Sequence, residues 1–253
     1  MSVRVTTPEG WKNIHDCINC DERLISVTNF ITYIGYGYES RNSLFFPSPN
    51  KENNSYTKQC LDHGKKYEPK AIRFVNNETQ YQIIKFQCGD GNSMMTEREG
   101  LIGTVDSFVI DRETNEFGIL EIKCPYGNKF GRDQDTRTCF IETESRWKHW
   151  MQLQLYGWIN EIRNTTFGLL VYYYPHGGEN GEPLIQINRI SFIEPKILEE
   201  KLKIKSYLEE FFIKKSNKVK TKERVTKIRL IEKKDIQETI EFTKIIQKSQ
   251  LQE

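Results

Sequence analysis

The stretch GLIGTVDSFVIDRETNEFGILEIKCPYGNK, residues 100–129, has the pattern of a β-hairpin. Apolar and β-branched runs at residues 101–110 and 119–124 flank a turn-like segment. Glu121 and Lys123 stand two positions apart in the second run, so a strand places both side chains on one face of the sheet. The pattern therefore predicts a hairpin with charged side chains in its second strand.

The register of this hairpin decides which acidic residue joins the pair. If Thr114 and Asn115 form a two-residue turn, Asp106 lies opposite Lys123. A slip by one residue moves Asp106 to the other face. With the first register, two carboxylates and an ammonium share one face, and such charges rarely enter a strand core unless they are paired or bind metal. The alternative is an amphipathic strand whose Glu121 and Lys123 face water.

Asp106 and the string EIKCPY, residues 121–126, are separated by fourteen residues. This arrangement resembles the PD-(D/E)XK nuclease superfamily, and the string with its flanks resembles the branch of phage lambda exonuclease, YqaJ-type viral recombinases and viral alkaline nucleases. Val105 stands where many relatives have Pro. The resemblance covers residues 11–212 and implies an α/β fold with a restriction-endonuclease-like core, in which helices flank a mixed central β-sheet.

The chemistry of such an enzyme fits these residue types. Asp106, Glu121 and the backbone carbonyl of Ile122 supply the oxygen ligands that Mg²⁺ or Mn²⁺ prefers, and a metal activates water and stabilises charge on phosphate. Lys123 can orient or deprotonate the attacking water, or balance the phosphate charge. The sequence leaves these roles of Lys123 open.

Two further elements resemble parts of the family's site. Residues 64–71, GKKYEPKA, match the family's G-x3-E-P-x-A element, which implies that Glu68 is a third carboxylate beside the metal. Residues 146–163 have the spacing of an amphipathic helix, and the resemblance implies that one of its glutamines, Gln152 or Gln154, reaches the catalytic centre. Helical geometry favours Gln154, because it falls inside the apolar face, and Gln152 is then a candidate DNA contact.

Candidate DNA contacts lie in two other segments. Residues 24–38 predict a helix, and they resemble the family segment near which an Arg and a hydroxyl meet a DNA terminal phosphate. Here Arg23, Ser26 and Thr28 are the candidates, and the alternative is an ordinary helix cap by Ser26 or Thr28. The polar loop after residue 123 carries three more candidates for backbone contacts, with a solvated loop as the alternative. These are Lys129, Arg132 and Arg137.

We expect residues 1–212 to form the nuclease domain. Residues 213–253 are a basic, helix-prone C-terminal extension, either part of the same domain or a tail. A separate possibility is a structural zinc site. Its four ligands would be Cys17, Cys20, Cys60 and His63.

The composition limits the class of protein. The net charge is +2, so a nucleic-acid surface must come from local clusters of basic residues. With 12% aromatic and 28% charged residues, the chain is typical of a folded globular protein. The absence of a long apolar run or a secretory signal predicts an intracellular protein, in the cytoplasm or nucleus of a host or infected cell, with cysteines as thiols and no membrane partner.

The sequence thus predicts a Mg²⁺- or Mn²⁺-dependent deoxyribonuclease. The resemblance implies a 5′-to-3′ exonuclease on linear, 5′-phosphorylated duplex DNA, acting in viral or phage-type recombination with a single-strand annealing protein as a possible partner. The alternatives are a non-catalytic nucleic-acid-binding protein on a nuclease fold, and an endonuclease or RNA-active relative. The sequence does not decide between a monomer and a ring.

Overall fold

A computed structural model describes most of the chain. The described residues are 3–5, 23–37, 41–45, 55–84, 94–126, 146–178, 181–217 and 230–247.

The described residues form ten strands and seven α-helices. The strands are β1 (Val3–Val5), β2 (Ile25–Ser26), β3 (Tyr81–Ile84), β4 (Met94–Arg98), β5 (Leu101–Thr104), β6 (Ser107–Asp111), β7 (Phe117–Lys123), β8 (Phe167–Tyr174), β9 (Leu184–Ser191) and β10 (Ile240–Gln247). The helices are α1 (Val27–Tyr33), α2 (Arg41–Phe45), α3 (Ser55–Glu78), α4 (Trp147–Ile159), α5 (Pro195–Leu202), α6 (Ile204–Asn217) and α7 (Lys233–Gln237). In the part of the chain described, no helix is both long and apolar enough to cross a membrane.

Two sheets organise these elements. The six-stranded sheet has the order β10-β9-β8-β7-β6-β3, and the four-stranded sheet has the order β1-β4-β5-β2. The large sheet is mixed, because β7 and β8 run parallel while its other neighbouring strands run antiparallel. The predicted fold class, an α/β core with a mixed sheet flanked by helices, is confirmed.

The predicted first strand of the hairpin is divided in two. β5 belongs to the four-stranded sheet and β6 to the six-stranded sheet, so Val105 and Asp106 lie where the chain crosses from one sheet to the other. Asp106 therefore sits just before the first residue of β6, at the end of that strand's ladder with β7.

The predicted register is wrong by two residues. Ser107 pairs with Leu120, so the ladder continues toward Asp106 opposite Glu121 and not opposite Lys123. The turn is longer than two residues because the Asn115 N–H bonds back to the Asp111 carbonyl (2.8 Å), with Asn115 at φ +60°. A shift by two positions keeps Asp106 on the expected face.

Helices cover both faces of β7. α3 packs on the face of Leu120 and Ile122, whereas α1 and α4 pack on the face of Ile119. Glu121 lies on the second face and is only 1% exposed. The alternative of a strand face that opens to water is therefore wrong for Glu121.

The helices α5 and α6 and the strand β10 lie in the C-terminal part. Lys203, whose φ is +50°, ends α5 before α6 begins. Residues 240–247 are a strand rather than part of a helix-prone end. β10 pairs antiparallel with β9, with a register irregularity between Ile240 and Phe242, and these two side chains pack on opposite sides of the sheet.

Arg189 joins three acidic side chains at one end of the large sheet. Its side chain is 7% exposed and bonds Asp111 (2.8 Å), Glu116 (2.5 Å) and Glu241. Its guanidinium also lies 3.8 Å from the ring centroid of Phe167. The cluster links β6 and β9 with the hairpin turn and the edge strand β10.

We expect Arg189→Leu to lower the free energy of unfolding by about 3–5 kcal/mol, because it leaves the buried Asp111 carboxylate without its cation. Denaturant unfolding of the native protein and the variant measures this change. Lys196→Leu, at an exposed position of α5, is the control and should change stability by about 0.5 kcal/mol or less. Equal effects of the two substitutions would contradict a stabilising role of the cluster.

Candidate active site

Asp106, Glu121 and Lys123 meet at the end of the β6–β7 ladder. The Lys123 ammonium pairs with Glu121 Oε1, which confirms that the two side chains share a face. Asp106 precedes the first β6 residue, and there the Ile122 N–H has no β6 backbone partner and donates instead to Asp106 Oδ2 (2.7 Å). Where the chain crosses between the sheets, the Asp106 carboxylate thus replaces the backbone carbonyl that a continuous strand would offer to the Ile122 N–H.

The charges of this group perturb one another. Burial raises the pKa of Glu121 to about 8, and the Asp106 charge adds to the rise, while Lys123 opposes it. Burial alone would lower the pKa of Lys123, but Glu121 and Asp106 outweigh it, so the net direction is upward. The Asp106 side chain is partly exposed, but loss of hydration around its carboxylate raises its pKa. The Lys123 charge and the hydrogen bond from the Ile122 N–H lower this pKa, but they do not outweigh the loss of hydration.

The donor set fits a hard cation. Glu121 Oε2 is buried and has no hydrogen-bond partner among the residues that the structure describes. Asp106 binds the Ile122 N–H through Oδ2. Because N–H and C=O of one strand residue point to the same side, the Ile122 carbonyl is directed toward Asp106 as well. Mg²⁺ is commonly held by one or two carboxylates, with water and phosphate oxygens completing its coordination.

Glu68 approaches this group from the other side of the sheet. It lies on α3, which packs on the Leu120 face of β7, and its charge raises the pKa of Glu121 and of Cys124. Within the described ranges, no three His, Cys, Asp or Glu side chains are grouped closely enough to hold a metal ion. The role of Glu68 as a third metal-site carboxylate therefore stays a prediction.

A cavity of about 350 Å³ opens beside Lys123. α1 and α4 supply most of its wall, and none of its described lining residues is acidic. The lining residues are Thr28, Asn29, Ile31, Thr32, Gly37, Lys123, Lys148, His149 and Gln152. A cavity with two lysines and no acidic side chain suits an anionic ligand.

Lys148 and His149 were not predicted as site residues. Burial lowers the pKa of Lys148 to about 8 and moves the pKa of His149 well below its usual value. His149 Nδ1 lies 2.8 Å from the Tyr172 hydroxyl. Lys148 and His149 precede Gln152 by four and three residues, so all three lie on one face of α4. This spacing could have identified them from the sequence once Gln152 was a candidate.

The structure brings Gln152, rather than the preferred Gln154, to the wall of the cavity. Gln154 is fully buried, but its Nε2 donates to the Ser191 carbonyl (2.9 Å) and its Oε1 accepts from the Ile193 N–H (3.0 Å). It therefore fixes α4 against the end of β9. Gln152 lies on the helix face toward the cavity and donates to the Tyr156 hydroxyl (2.9 Å).

Gly103 in the fold-determining stretch makes room for Tyr156. A Cβ at Gly103 would lie 2.6 Å from the Tyr156 ring. Tyr156 is buried near Glu121, and burial together with that carboxylate raises its pKa well above the usual value. It stays a neutral phenol that holds Gln152 at the cavity wall.

The predicted DNA contacts near the N-terminus have different positions. Thr28 lines the cavity. Ser26 caps α1 by accepting from the Asn29 N–H (3.2 Å), so the N-cap interpretation is confirmed for Ser26. Arg23 is exposed and is not one of the cavity-lining residues.

Two other predictions lie wholly or partly outside the described residues. Lys129, Arg132 and Arg137 are all outside them. Of the possible zinc ligands, Cys17 and Cys20 are outside, whereas Cys60 and His63 lie on α3. Cys60 is a free thiol, and the His63 ring packs against Tyr67 and Tyr126.

Comparison with known families agrees with this geometry. Residues 30–162 match the YqaJ-like viral recombinase domain. The match spans just over half of the chain and includes the segments that carry Glu68, Asp106, Glu121, Lys123 and Gln152. The chain belongs to this family. A sequence comparison with curated proteins found no match.

Solved structures show the same fold. An alkaline exonuclease (LHK-Exo) from Laribacter hongkongensis is similar with a TM-score of 0.54 and 15% identity, over 80% of this chain and 95% of that one. LHK-Exo in complex with dAMP is similar with a TM-score of 0.50 and 14% identity, over the same shares. The YqaJ-like domain thus has a nuclease fold in this chain.

We expect Gln154→Ala and Gln152→Ala to differ in kind. Gln154→Ala should destabilise the protein by about 1–3 kcal/mol for each backbone group that loses its buried partner. Gln152→Ala should cost less than about 1.5 kcal/mol but slow any reaction in the cavity by about tenfold or more, because Gln152 faces Lys123 there. Thermal unfolding and a nuclease assay measure the two effects. A reversed pattern would show that Gln154 is the functional glutamine.

Proposed function

We propose that the protein is a metal-dependent deoxyribonuclease that digests linear duplex DNA from a 5′-phosphorylated end. It would act in phage or viral recombination inside the host or infected cell, beside a single-strand annealing protein. The observation that carries the proposal is the convergence of Asp106, Glu121 and Lys123 at the end of one ladder, with a buried carboxylate oxygen left unpaired. Family membership and the nuclease fold support it.

Asp106, Glu121 and the Ile122 carbonyl would hold Mg²⁺ or Mn²⁺, which supplies an activated water and charge stabilisation at the phosphate when bound. The protein fixes these ligands in advance. The Ile122 N–H holds Asp106, and burial between α3 and α4 holds Glu121 in one position. A preorganised, water-poor site stabilises developing charge without reorganising during the reaction.

Lys123 connects the carboxylates to the cavity. Its Nζ pairs with Glu121, while its side chain is 25% exposed and lines the cavity. An ammonium in this place can hold the attacking water or neutralise the phosphate oxygens. We propose that Lys148, Gln152 and Thr28, which line the same cavity, bind the DNA phosphate.

Digestion of linear, 5′-phosphorylated duplex DNA tests the proposal. We expect loss of DNA with Mg²⁺ or Mn²⁺ and none with EDTA. Asp106→Asn and Lys123→Ala should slow the reaction by about 100-fold or more, since each removes a group that would act on the water or the metal. Glu113→Gln, at an exposed turn position of the same hairpin, is the matched control and should retain full activity.

Other substrates separate the alternatives. Cleavage of closed circular DNA would show an endonuclease, and cleavage of an RNA duplex would show a wider substrate range. Binding of DNA without any cleavage would replace the nuclease by a nucleic-acid-binding protein on the same fold.

The lowered pKa of Lys148 gives a pH test. Below about pH 8 its ammonium is charged, and above that value it loses the charge, although a bound phosphate shifts the midpoint upward. We therefore expect binding of phosphorylated duplex in EDTA to weaken several-fold between about pH 7 and about pH 9. Lys148→Met should bind more weakly at pH 7 and show a flatter profile. Lys196→Met, on the exposed side of α5, should keep the native profile.

A further inference from the structure

A row of aromatic rings runs along α3 from its exposed N-terminal end to the large sheet, where Tyr67 packs against Tyr173 of β8 with ring centroids 6.1 Å apart. The ring centroids of Tyr56 and Tyr126 lie 5.8 Å apart, those of Tyr126 and His63 5.4 Å, and those of His63 and Tyr67 4.5 Å. Tyr56 is 57% exposed. Packing of the core explains the buried Tyr67, but it does not explain the outer rings of the row, from the half-buried His63 and Tyr126 to the exposed Tyr56.

Basic side chains accompany this row. The Nζ atoms of Lys66 and Lys70 lie 5.0 and 5.1 Å from the Tyr67 ring centroid, and both residues are exposed. Lys66 and Lys70 are next to the aromatic row on the helix surface, whereas the exposed Lys58 and Lys65 fall on the opposite side of α3. Cations beside exposed aromatic rings are the combination that binds single-stranded nucleic acid.

The row reaches the candidate active site. Tyr126 follows Lys123 by three residues, so their Cα atoms are at most about 11 Å apart along the chain. Tyr126 is fixed to α3 because its hydroxyl donates to Gln59 Oε1 (2.9 Å). Glu68, on the same helix, influences the pKa of Glu121 through its charge. The row therefore lies within one short chain segment of Lys123.

We propose that Tyr56, Tyr126, His63, Lys66 and Lys70, named here the α3 ridge, bind the single-stranded DNA that digestion of one strand leaves behind. The inference rests on the proposed nuclease function for the source of that strand. Unpaired bases stack on the rings and the lysines contact the phosphates. A duplex keeps its bases stacked inside and cannot use the rings, so the ridge favours single strands.

Binding in EDTA tests the ridge without any cleavage. The probe is a fluorescein-labelled oligothymidine of about 16 nucleotides, the upper site size of comparable proteins. We expect Tyr56→Leu to bind at least about fivefold more weakly, because it loses one stacked base, and Tyr56→Phe to bind like the native protein. Both substitutions are at an exposed position, so thermal unfolding should confirm that the variants stay folded.

The salt dependence of binding tests the two lysines of the ridge separately. The double variant Lys66→Ala, Lys70→Ala should reduce the slope of log affinity against log salt by about 1.4, which is two single-strand phosphate contacts. The control pair Lys196→Ala, Lys244→Ala removes two exposed cations from other elements and should leave the slope unchanged. A native slope in both double variants would overturn the phosphate contacts.

The outcomes distinguish this inference from the proposed function. If DNA is digested normally but Tyr56→Leu binds the oligothymidine like the native protein, the ridge is wrong and the nuclease stands. If no DNA is digested while the ridge variants lose single-strand binding, the nuclease proposal fails and the ridge remains a binding surface. If the ridge variants lose as much affinity for a blunt duplex of the same length as for the oligothymidine, the ridge contacts the duplex backbone and the inference is overturned.

Discussion

Glu121 places a carboxylate inside a strand whose two faces are both covered by helices. This residue is 1% exposed, and among the described residues only one of its oxygens has a partner, the Lys123 ammonium. Burial of a charge in such surroundings costs several kcal/mol unless a cation compensates it. The helices on both faces of β7 exclude water from the Glu121 carboxylate. The crossing between the sheets brings a second carboxylate, that of Asp106, to the backbone of β7.

The position of Asp106 depends on the division of the chain between two sheets. A continuous strand over residues 101–110 would give the Ile122 N–H a backbone partner and carry the Asp106 side chain along the ladder. The crossing at Val105 ends the ladder one residue early, so the carboxylate takes the N–H instead. Gly103, just before the crossing, leaves space for the Tyr156 ring beside the site.

The sequence predicted those features that depend only on the two-residue alternation of side chains along a strand or on the order of the elements. The spacing of Glu121 and Lys123 fixed their common face, and the fold class followed from the order of strands and helices. The register was missed because the turn contains Asn115 in a left-handed conformation, bonded back to Asp111, which alternation of apolar residues does not reveal. Helical periodicity identified Gln154 as buried but not what lies across from it, which proved to be the backbone of Ser191 and Ile193 rather than the site.

Titration of Mn²⁺ into the protein without DNA, followed by calorimetry, most directly tests whether these carboxylates form a metal centre. We expect the native protein and Glu113→Gln to bind Mn²⁺ with the same heat. Asp106→Asn and Glu121→Gln should bind at least about tenfold more weakly, because each removes a charged oxygen ligand. Equal binding by all four proteins, or no binding by the native protein, would contradict a metal site at Asp106 and Glu121.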